Sequence, residues 1–122
     1  MSNGAKLLVV DDDRMMLDFA MRVLASLGYV CVTASDAATT LRVLKEDPQV
    51  RGVIVDLRLG PAQDGAALVR EALRLRPDIG GLLTSGDHEA LQTAARDLGP
   101  DVAVLTKPYR RRDLADRLAR VL

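Results

Sequence analysis

Four charged side chains of this sequence stand at or near the ends of short apolar runs. Asp11 and Asp12 follow one run, Asp56 follows a second, and Lys107 comes soon after a third. Three carboxylates held close together repel one another and raise each other's pKa, and a cation removes that cost. Carboxylate oxygens suit Mg²⁺, whereas zinc prefers nitrogen and sulfur donors. The residue types therefore predict a magnesium site formed by Asp11, Asp12 and Asp56.

Asp56 also has the chemistry of a nucleophile. A carboxylate beside Mg²⁺ can attack phosphorus and form an aspartyl phosphate. The oxygens of the transferred group must then be neutralised by the metal, by an ammonium group and by a hydroxyl or N–H donor. Lys107 offers the ammonium group, and Ser85 or Thr84 offers the hydroxyl.

These residues can act together only if the fold brings them to one place. The chain alternates five apolar or β-branched runs with five amphipathic segments. This alternation predicts an α/β fold, a parallel sheet with helices on both faces. Two doubly wound strand orders are common, and both bind ligands beyond the carboxyl ends of the strands. In the flavodoxin-like order 2-1-3-4-5, the first and third strands meet at the switch point where ligands bind. The predicted strands are 6–10, 29–34, 52–55, 79–85 and 102–105, and the predicted helices are 14–27, 37–46, 64–75, 89–98 and 111–122.

Apolar spacing predicts which helix faces are buried. In the first helix, the inward set includes Phe19, Ala20 and Leu24. In the second helix, the apolar residues are Ala38, Leu41 and Leu44. Asp13 is predicted to cap the first helix. His88 is expected to be an ordinary surface residue.

Size and composition narrow the class of protein. A chain of 122 residues is predicted to form a single domain over 1–122. The net charge is zero, which gives no indication of nucleic acid or of an anionic membrane. The lone cysteine, Cys31, precludes an intramolecular disulfide, and no apolar run is long enough for a membrane span. A cytoplasmic protein is the simplest expectation.

Taken in order, the motifs resemble the receiver domain of two-component response regulators, of the chemotaxis-regulator type, over nearly the whole chain. The matching segments are VVDDD at 9–13, VIVD at 53–56, DG at 64–65, LLTSG at 82–86 and TKPY at 106–109. The resemblance implies a regulatory phosphoacceptor rather than an enzyme. It also implies a histidine kinase or a phosphotransfer protein as the phosphoryl donor.

The resemblance assigns a role to each residue of the acidic set. Asp56 matches the phosphorylated aspartate, Asp12 a direct Mg²⁺ ligand and Asp11 a ligand through water. The backbone carbonyl of Arg58 matches a further Mg²⁺ ligand. Lys107 matches the lysine that pairs with the phosphoryl group.

Other matching positions bear on how the domain switches. Ser85, 22 residues before Lys107, matches the switch hydroxyl. Thr84 is the alternative, although strand alternation is expected to turn it to the other face. Pro108 matches a proline preceded by a cis bond. Val104 stands where the family usually has the switch aromatic, so the output signal is expected to take another route.

The loop after Asp56 departs from the family pattern. It is one residue longer than the commonest form, with Gly60 before Pro61. Arg58 and Asp87 occupy the positions that flank the path of the attacking water in the family. Their opposite charges are expected to form a lid that tunes the lifetime of the phosphorylated state.

Two other functions fit parts of the sequence. Asp11-x-Asp13 after an apolar strand imitates the first motif of haloacid-dehalogenase-like phosphohydrolases, but Met15 and the absence of a late acidic pair disagree with that family. A pseudo-receiver that only binds partners is the second alternative, and the complete acidic set argues against it. The downstream target stays open, as does the choice between a stand-alone regulator and the receiver of a hybrid histidine kinase.

Overall fold

The structure is a computed structural model that describes residues 4–60 and 63–122. Ten elements alternate along these described residues, as predicted. The strands are β1 (Lys6–Val10), β2 (Val30–Ala34), β3 (Val50–Asp56), β4 (Gly80–Ser85) and β5 (Val102–Thr106). The helices are α1 (Arg14–Ser26), α2 (Ala37–Glu46), α3 (Gly65–Leu75), α4 (His88–Leu98) and α5 (Arg111–Val121).

The five strands form one parallel sheet in the order β2-β1-β3-β4-β5. The predicted flavodoxin-like order is therefore confirmed. Its consequence for the site is that β1 lies directly beside β3, with Val10 opposite Val55. The residues that follow this pair, Asp11 and Asp56, emerge next to each other at the carboxyl edge of the sheet.

Alternating strand residues supply two separate cores, one on each face of the sheet. Leu8 and Val55 belong to the core that faces α2, α3 and α4, whereas Val9 and Ile54 belong to the core that faces α1 and α5. Strands buried on both faces need apolar residues at consecutive positions, which explains the unbroken runs in the sequence. Each fully buried aliphatic side chain stabilises the fold by about 1.5–3 kcal/mol.

β3 is longer than predicted, because it begins at Val50 rather than at Gly52. Val50 is fully buried and pairs with Lys6, although the exposed Arg51 interrupts the apolar run in the sequence. Because Arg51 is polar and points to solvent, the apolar pattern of the sequence did not show where β3 begins.

Two predicted helix faces need correction. Ala38 is exposed, and Thr40 is fully buried in its place. The Thr40 hydroxyl donates a hydrogen bond of 2.8 Å to the Asp36 carbonyl, so burial leaves no polar atom unpaired. In α1, Phe19 is 41% exposed and packs at the rim, with its ring centroid 5.8 Å from that of Tyr109.

The amino edge of the sheet, far from the acidic residues, is held by Arg76 at the end of α3. Its guanidinium donates to four backbone carbonyls between the last turn of α2 and the first residue of β3, and it also pairs with Asp78. The carbonyls belong to Leu44, Asp47, Pro48 and Val50. One side chain thus replaces the water that these carbonyls would otherwise bind.

No helix among the described residues is long and apolar enough to cross a membrane.

Candidate functional site at the carboxyl edge of the sheet

The acidic residues predicted to form the site do lie together. Asp11, Asp12 and Asp56 each place one carboxylate oxygen within 4.8 Å of the other two. Asp11 is 5% exposed, Asp56 is half-buried and Asp12 is exposed. The cluster therefore runs from the interior to the surface, which gives an ion or a small group a way in.

Lys107 supplies the positive charge from the loop after β5. Its Nζ lies 3.2 Å from Asp11 Oδ2 and 3.4 Å from Asp56 Oδ2. Its side chain is only 18% exposed, so water screens the two contacts less than it would at the surface. The backbone N–H of Lys107 donates to the Ser85 carbonyl at 2.7 Å, which fixes the base of the side chain to the end of β4.

The surroundings of Asp11 disfavour its charged form. Burial raises the pKa of Asp11 above its ordinary value, while the N–H of Asp13 and the nearby Lys107 oppose that rise and Asp56 adds to it. The Asp13 N–H reaches Asp11 Oδ1 at 2.9 Å. The negative form of Asp11 is thus costly, and a bound cation would reduce that cost.

The backbone around Asp56 is fixed by the start of α3. Arg58 donates its N–H to Asp56 Oδ1 at 3.3 Å, and Gly65 donates to the Leu57 carbonyl at 2.8 Å. A Cβ atom at Gly65 would lie 2.1 Å from the Asp56 carbonyl oxygen. Only glycine fits there, so α3 packs directly against the backbone of Asp56. The Asp-Gly motif marked this position in the sequence, but the close contact could not be read from it.

The two candidate hydroxyls lie on opposite faces of the sheet. Thr84 pairs with Asp56 in register, and Ser85 pairs with Thr106. Paired residues of parallel strands point to the same face, so Thr84 shares the face of Asp56, and Ser85 lies on the face toward α4. Which of the two hydroxyls acts as the switch therefore stays a prediction. Both residues are 4% exposed, and Ser85 Oγ accepts the Asp87 N–H at 3.0 Å.

Arg58 and Asp87 form the expected ion pair, with 3.3 Å between Arg58 Nη2 and Asp87 Oδ2. It joins the loop after β3 to the start of α4. The side chains are 74% and 45% exposed, so the pair contributes little to stability. Pro61, in the same lengthened loop, lies outside the described residues.

Two residues around the site have surroundings that the sequence did not indicate. His88 is exposed, but its Nδ1 lies 3.1 Å from Thr106 Oγ1. Tyr109 is half-buried beside the acidic cluster, and burial and the charge of Asp11 raise its pKa. The Lys107–Pro108 peptide bond is cis, as predicted for the bond before Pro108.

The family model for the response regulator receiver domain matches residues 7–119 of this chain. The response regulator receiver protein CpdR of Brucella abortus is 27% identical over 117 residues, which cover 96% of each chain. The transcriptional regulatory protein AruR of Pseudomonas aeruginosa is 32% identical, over 92% of this chain and 47% of AruR. The sensor kinase CckA of Brucella abortus is 29% identical over the whole of this chain, which spans 13% of the kinase.

Solved structures also match this chain. The signal receiver domain of an HD domain-containing protein from Pseudomonas fluorescens matches with a TM-score of 0.85 and 27% identity, over 100% of this chain and 89% of that one. The chemotaxis protein CheY4 of Vibrio cholerae has the same fold, with a TM-score of 0.82 at 24% identity.

Proposed function

We propose, from the premise that this chain belongs to the receiver domain family of two-component response regulators, that it accepts a phosphoryl group on Asp56. The observation that carries the proposal is the position of Lys107, whose Nζ lies within 3.4 Å of carboxylate oxygens of both Asp11 and Asp56. A lysine held between two carboxylates can bind a phosphoryl oxygen when Asp56 is modified, because the new group brings negative charge to the same place.

In the proposed reaction, a carboxylate oxygen of Asp56 attacks the phosphorus of a phosphohistidine on the donor protein. The oxygen–phosphorus bond forms as the phosphorus–nitrogen bond breaks, and the electron pair of the broken bond returns to the imidazole nitrogen. Lys107 neutralises one phosphoryl oxygen, and the Arg58 N–H, already bonded to Asp56 Oδ1, holds the carboxylate in place. Positioning and charge neutralisation are the main contributions that a protein makes to phosphoryl transfer.

The acidic cluster fits Mg²⁺. It presents three carboxylate oxygens within 4.8 Å, which are the hard donors that this ion prefers. We propose that Asp12 and Asp56 hold the ion directly, that Asp11 holds it through water, and that the carbonyl of Arg58 completes the protein ligands. When bound, Mg²⁺ supplies charge stabilisation for the phosphoryl oxygens.

Ser85 is our proposed switch hydroxyl. Its carbonyl accepts the Lys107 N–H, and its Oγ is within reach of the loop over the site. Thr84 is the competing donor, because it shares the face of Asp56. Ser85→Ala and Thr84→Val separate the two. If Ser85 binds the phosphoryl oxygen, only Ser85→Ala should slow phosphorylation, by about tenfold, a factor typical of a lost charge-assisted hydrogen bond.

We further propose that the Arg58–Asp87 pair restricts the approach of water to the phosphoryl group. Arg58→Ala and Asp87→Ala should each shorten the lifetime of the phosphorylated form, and the double variant should do no more than either alone. Lifetimes measured by the decay of phosphoprotein mass would check this, with the exposed Arg70→Ala as control. Unchanged lifetimes in both single variants would contradict the lid.

The biological setting follows the same proposal. A histidine kinase or a phosphotransfer protein donates the phosphoryl group in the cytoplasm, and residues 1–122 act as one receiver domain with a regulatory role. The identity of the target that reads the switched surface is a separate question, since the matched relatives include a short receiver protein as well as longer regulators and a kinase.

Acetyl phosphate with Mg²⁺, followed by intact-mass measurement, tests the central claim. The wild-type protein should gain one phosphoryl group, and Asp56→Asn should gain none. Asp18→Asn, which changes an exposed carboxylate of α1, should behave like the wild type. No added mass on the wild type would overturn the proposal and favour a pseudo-receiver. Steady release of phosphate from unrelated phosphate esters would instead favour a phosphohydrolase, which the family match does not support.

A further inference from the structure

A cavity of about 890 Å³ lies between the end of α1, one side of α5 and the start of β3. It reaches the amino edge of the sheet, whereas the acidic cluster lies at the carboxyl edge. Of the described residues that line this cavity, none belongs to the acidic cluster. Its volume is within the range of roughly 300–1,000 Å³ that is typical of sites for small molecules.

One wall of the cavity is apolar and depends on the absence of a side chain at Gly52. A Cβ atom at Gly52 would lie 2.9 Å from Leu122 Cδ2 and 3.0 Å from Leu7 Cδ2. The glycine therefore lets Leu122 lie close to the backbone of β3. Leu122 is still 49% exposed, and the small side chains of Ala115 and Ala119 leave space beside it. This wall favours a ligand with an apolar body, since burial of apolar surface contributes about 25 cal/mol per Å².

The charged residues that line the cavity leave a net positive charge. Arg51 and Arg111 are basic and exposed, and Asp78 is the acidic residue among the described lining. Two N–H groups of Arg76 bind the Asp78 carboxylate at 2.9 and 3.0 Å, and this contact lowers the pKa of Asp78. Arg76 thus neutralises Asp78. Among the residues that the structure describes, none forms a hydrogen bond or an ion pair with the Arg51 side chain.

Arg111 is held in place by the end of α1. Its Nε donates to Ser26 Oγ at 2.9 Å, and its Nη2 donates to the Ser26 carbonyl at 3.0 Å. Ser26 Oγ in turn donates to the Val23 carbonyl at 2.6 Å, which fixes the acceptor as well. A guanidinium group has five N–H donors, so three remain for another partner. A donor that is already fixed loses less conformational freedom when it binds an anion.

We propose that this cavity binds a small organic acid, with its carboxylate held by Arg51 and Arg111 and its apolar body against Leu122. Planar guanidinium groups bind a carboxylate through paired N–H donors. Tyr29 is half-buried in the same lining and offers a phenol O–H as a further donor. The inference goes beyond the proposed function and does not depend on it.

Octanoate is a suitable probe, titrated into ¹⁵N-labelled protein without Mg²⁺ or a phosphoryl donor. The amide signals of Leu27, Arg51 and Ala119 should shift together, whereas those of Asp11 and Asp56 should stay in place. Acetate has the head group alone and 1-octanol has the apolar body alone, so each should bind about tenfold more weakly or worse. Octanol that binds as tightly as octanoate, or shifts that leave out the lining residues, would overturn the proposal.

Two variants remove the positive charge of the cavity. Arg51→Gln and Arg111→Gln should each weaken octanoate binding by about tenfold, the factor for one lost charge-assisted hydrogen bond. Arg51→Gln keeps the test sound if loss of the Ser26 contacts disturbs Arg111→Gln. Arg112→Gln is the matched control, because Arg112 is an exposed arginine of α5 outside the lining. Equal binding by all three variants would refute the site.

Ala119→Phe fills the cavity while both arginines stay. Ala119 is exposed, so the protein should tolerate the ring, and octanoate binding should fall by more than about tenfold. Ala67→Phe, at an exposed alanine of α3 outside the lining, should bind octanoate like the wild type. Octanoate should raise the thermal midpoint of the wild type and of Ala67→Phe but not of Ala119→Phe. Unweakened binding by Ala119→Phe would contradict the site and would leave the proposed role of Asp56 standing.

Discussion

At the scale of single residues, the site depends on a carboxylate whose charge the fold makes costly. Asp11 is almost fully buried, and burial raises its pKa. Its charged partner is Lys107, which it shares with Asp56. Two carboxylates thus compete for one ammonium group, and the local charge is negative. Such an arrangement disfavours the metal-free state and favours the binding of a cation.

Asp11→Asn should therefore stabilise the protein in the absence of Mg²⁺, by about 1 kcal/mol, because it removes a buried charge. A raised pKa means that the folded state takes up a proton on Asp11 more readily than the unfolded state does. The cost of the wild-type charge is present at neutral pH and decreases as the pH falls through the raised pKa of Asp11. The advantage of Asp11→Asn should shrink over the same range, as urea unfolding at several pH values would show.

In Mg²⁺ the same variant should lose its advantage, since the cation compensates the charge only in the wild type. Asp18→Asn is the control for a carboxylate on the surface and should change stability by no more than about 0.5 kcal/mol. A lower stability of Asp11→Asn than of wild type in metal-free buffer at neutral pH would contradict this account of the site.

The sequence was sufficient to find the charged residues, because each follows a recognisable apolar run. It was not sufficient to place the hydroxyls. Ser85 and Thr84 are adjacent and chemically alike, and which of them faces Asp56 depends on the register between β3 and β4. Register is a property of the assembled sheet, and strand alternation within one strand gives only the relative faces.

At the scale of elements, the contact between α3 and β3 decides where Asp56 lies. Gly65 allows the first turn of the helix to touch the strand backbone. Gly65→Ala would place a methyl group 2.1 Å from the Asp56 carbonyl oxygen, against backbone that cannot turn aside. We expect a loss of about 2–3 kcal/mol of stability, typical of overpacking, and weaker Mg²⁺ binding because Asp56 is displaced.

Gly86→Ala is the comparison, because a Cβ at that position would meet no atom within 4 Å. It should change stability by no more than about 0.5 kcal/mol. Urea unfolding and Mg²⁺ titration of both variants would check the contrast, and equal behaviour of the two would show that the helix does not fix the strand.

Arg76 fixes the amino edge of the sheet through its hydrogen bonds, whereas Gly65 fixes the carboxyl edge by letting α3 contact the backbone of Asp56. Arg76→Ala should destabilise the protein by about 2–4 kcal/mol, because three half-buried carbonyls and one exposed carbonyl lose a charged donor. Arg76→Lys should recover part of the loss, since one ammonium group cannot reach all four. Arg74→Ala removes an exposed arginine of the same helix and serves as the control. Denaturant midpoints would rank the three variants, and a midpoint of Arg76→Ala equal to that of Arg74→Ala would refute the role.

At the scale of the whole molecule, the sheet order explains why so distant residues meet. Asp11 and Lys107 are 96 positions apart in the chain, yet their side chains lie 3.2 Å apart. Since the acidic cluster exists only in the folded protein, Mg²⁺ should stabilise it by mass action. At 100 times the dissociation constant, the gain should be about 2.7 kcal/mol.

Thermal unfolding in MgCl₂, compared with NaCl of equal ionic strength, would measure this gain. Asp12→Asn should abolish most of it, because Asp12 is the exposed member of the cluster and one of the two residues that we propose to bind the ion directly. A midpoint that rises equally in both salts would indicate screening of surface charge rather than a site.

Alternation of runs was enough to predict a parallel α/β sheet with right-handed crossovers, whereas the strand order 2-1-3-4-5 came with the resemblance to receiver domains. The prediction was weakest where one residue broke the pattern. Arg51 interrupts the apolar run at the start of β3, so the sequence did not show where the strand begins. Periodicity predicted that Ala38 would be buried, but Thr40 is buried instead. Arg51 points to solvent from within the strand, and the Thr40 hydroxyl is paired inside its own helix. In both cases the polarity of the residue did not predict the structure around it.

The amino edge of the sheet has a use in protein engineering. β1 begins there at Lys6, opposite Val50, and α5 ends there at Val121, packed against Gly80. Asp56 lies at the other end of β3, roughly 20 Å away at the usual rise of a strand. A fusion partner joined at Lys6 or Val121 would therefore sit on the opposite side from the acidic pocket. The domain could therefore be inserted into a loop of a host protein. Both junctions would lie at the amino edge of the sheet, and the acidic pocket would stay accessible.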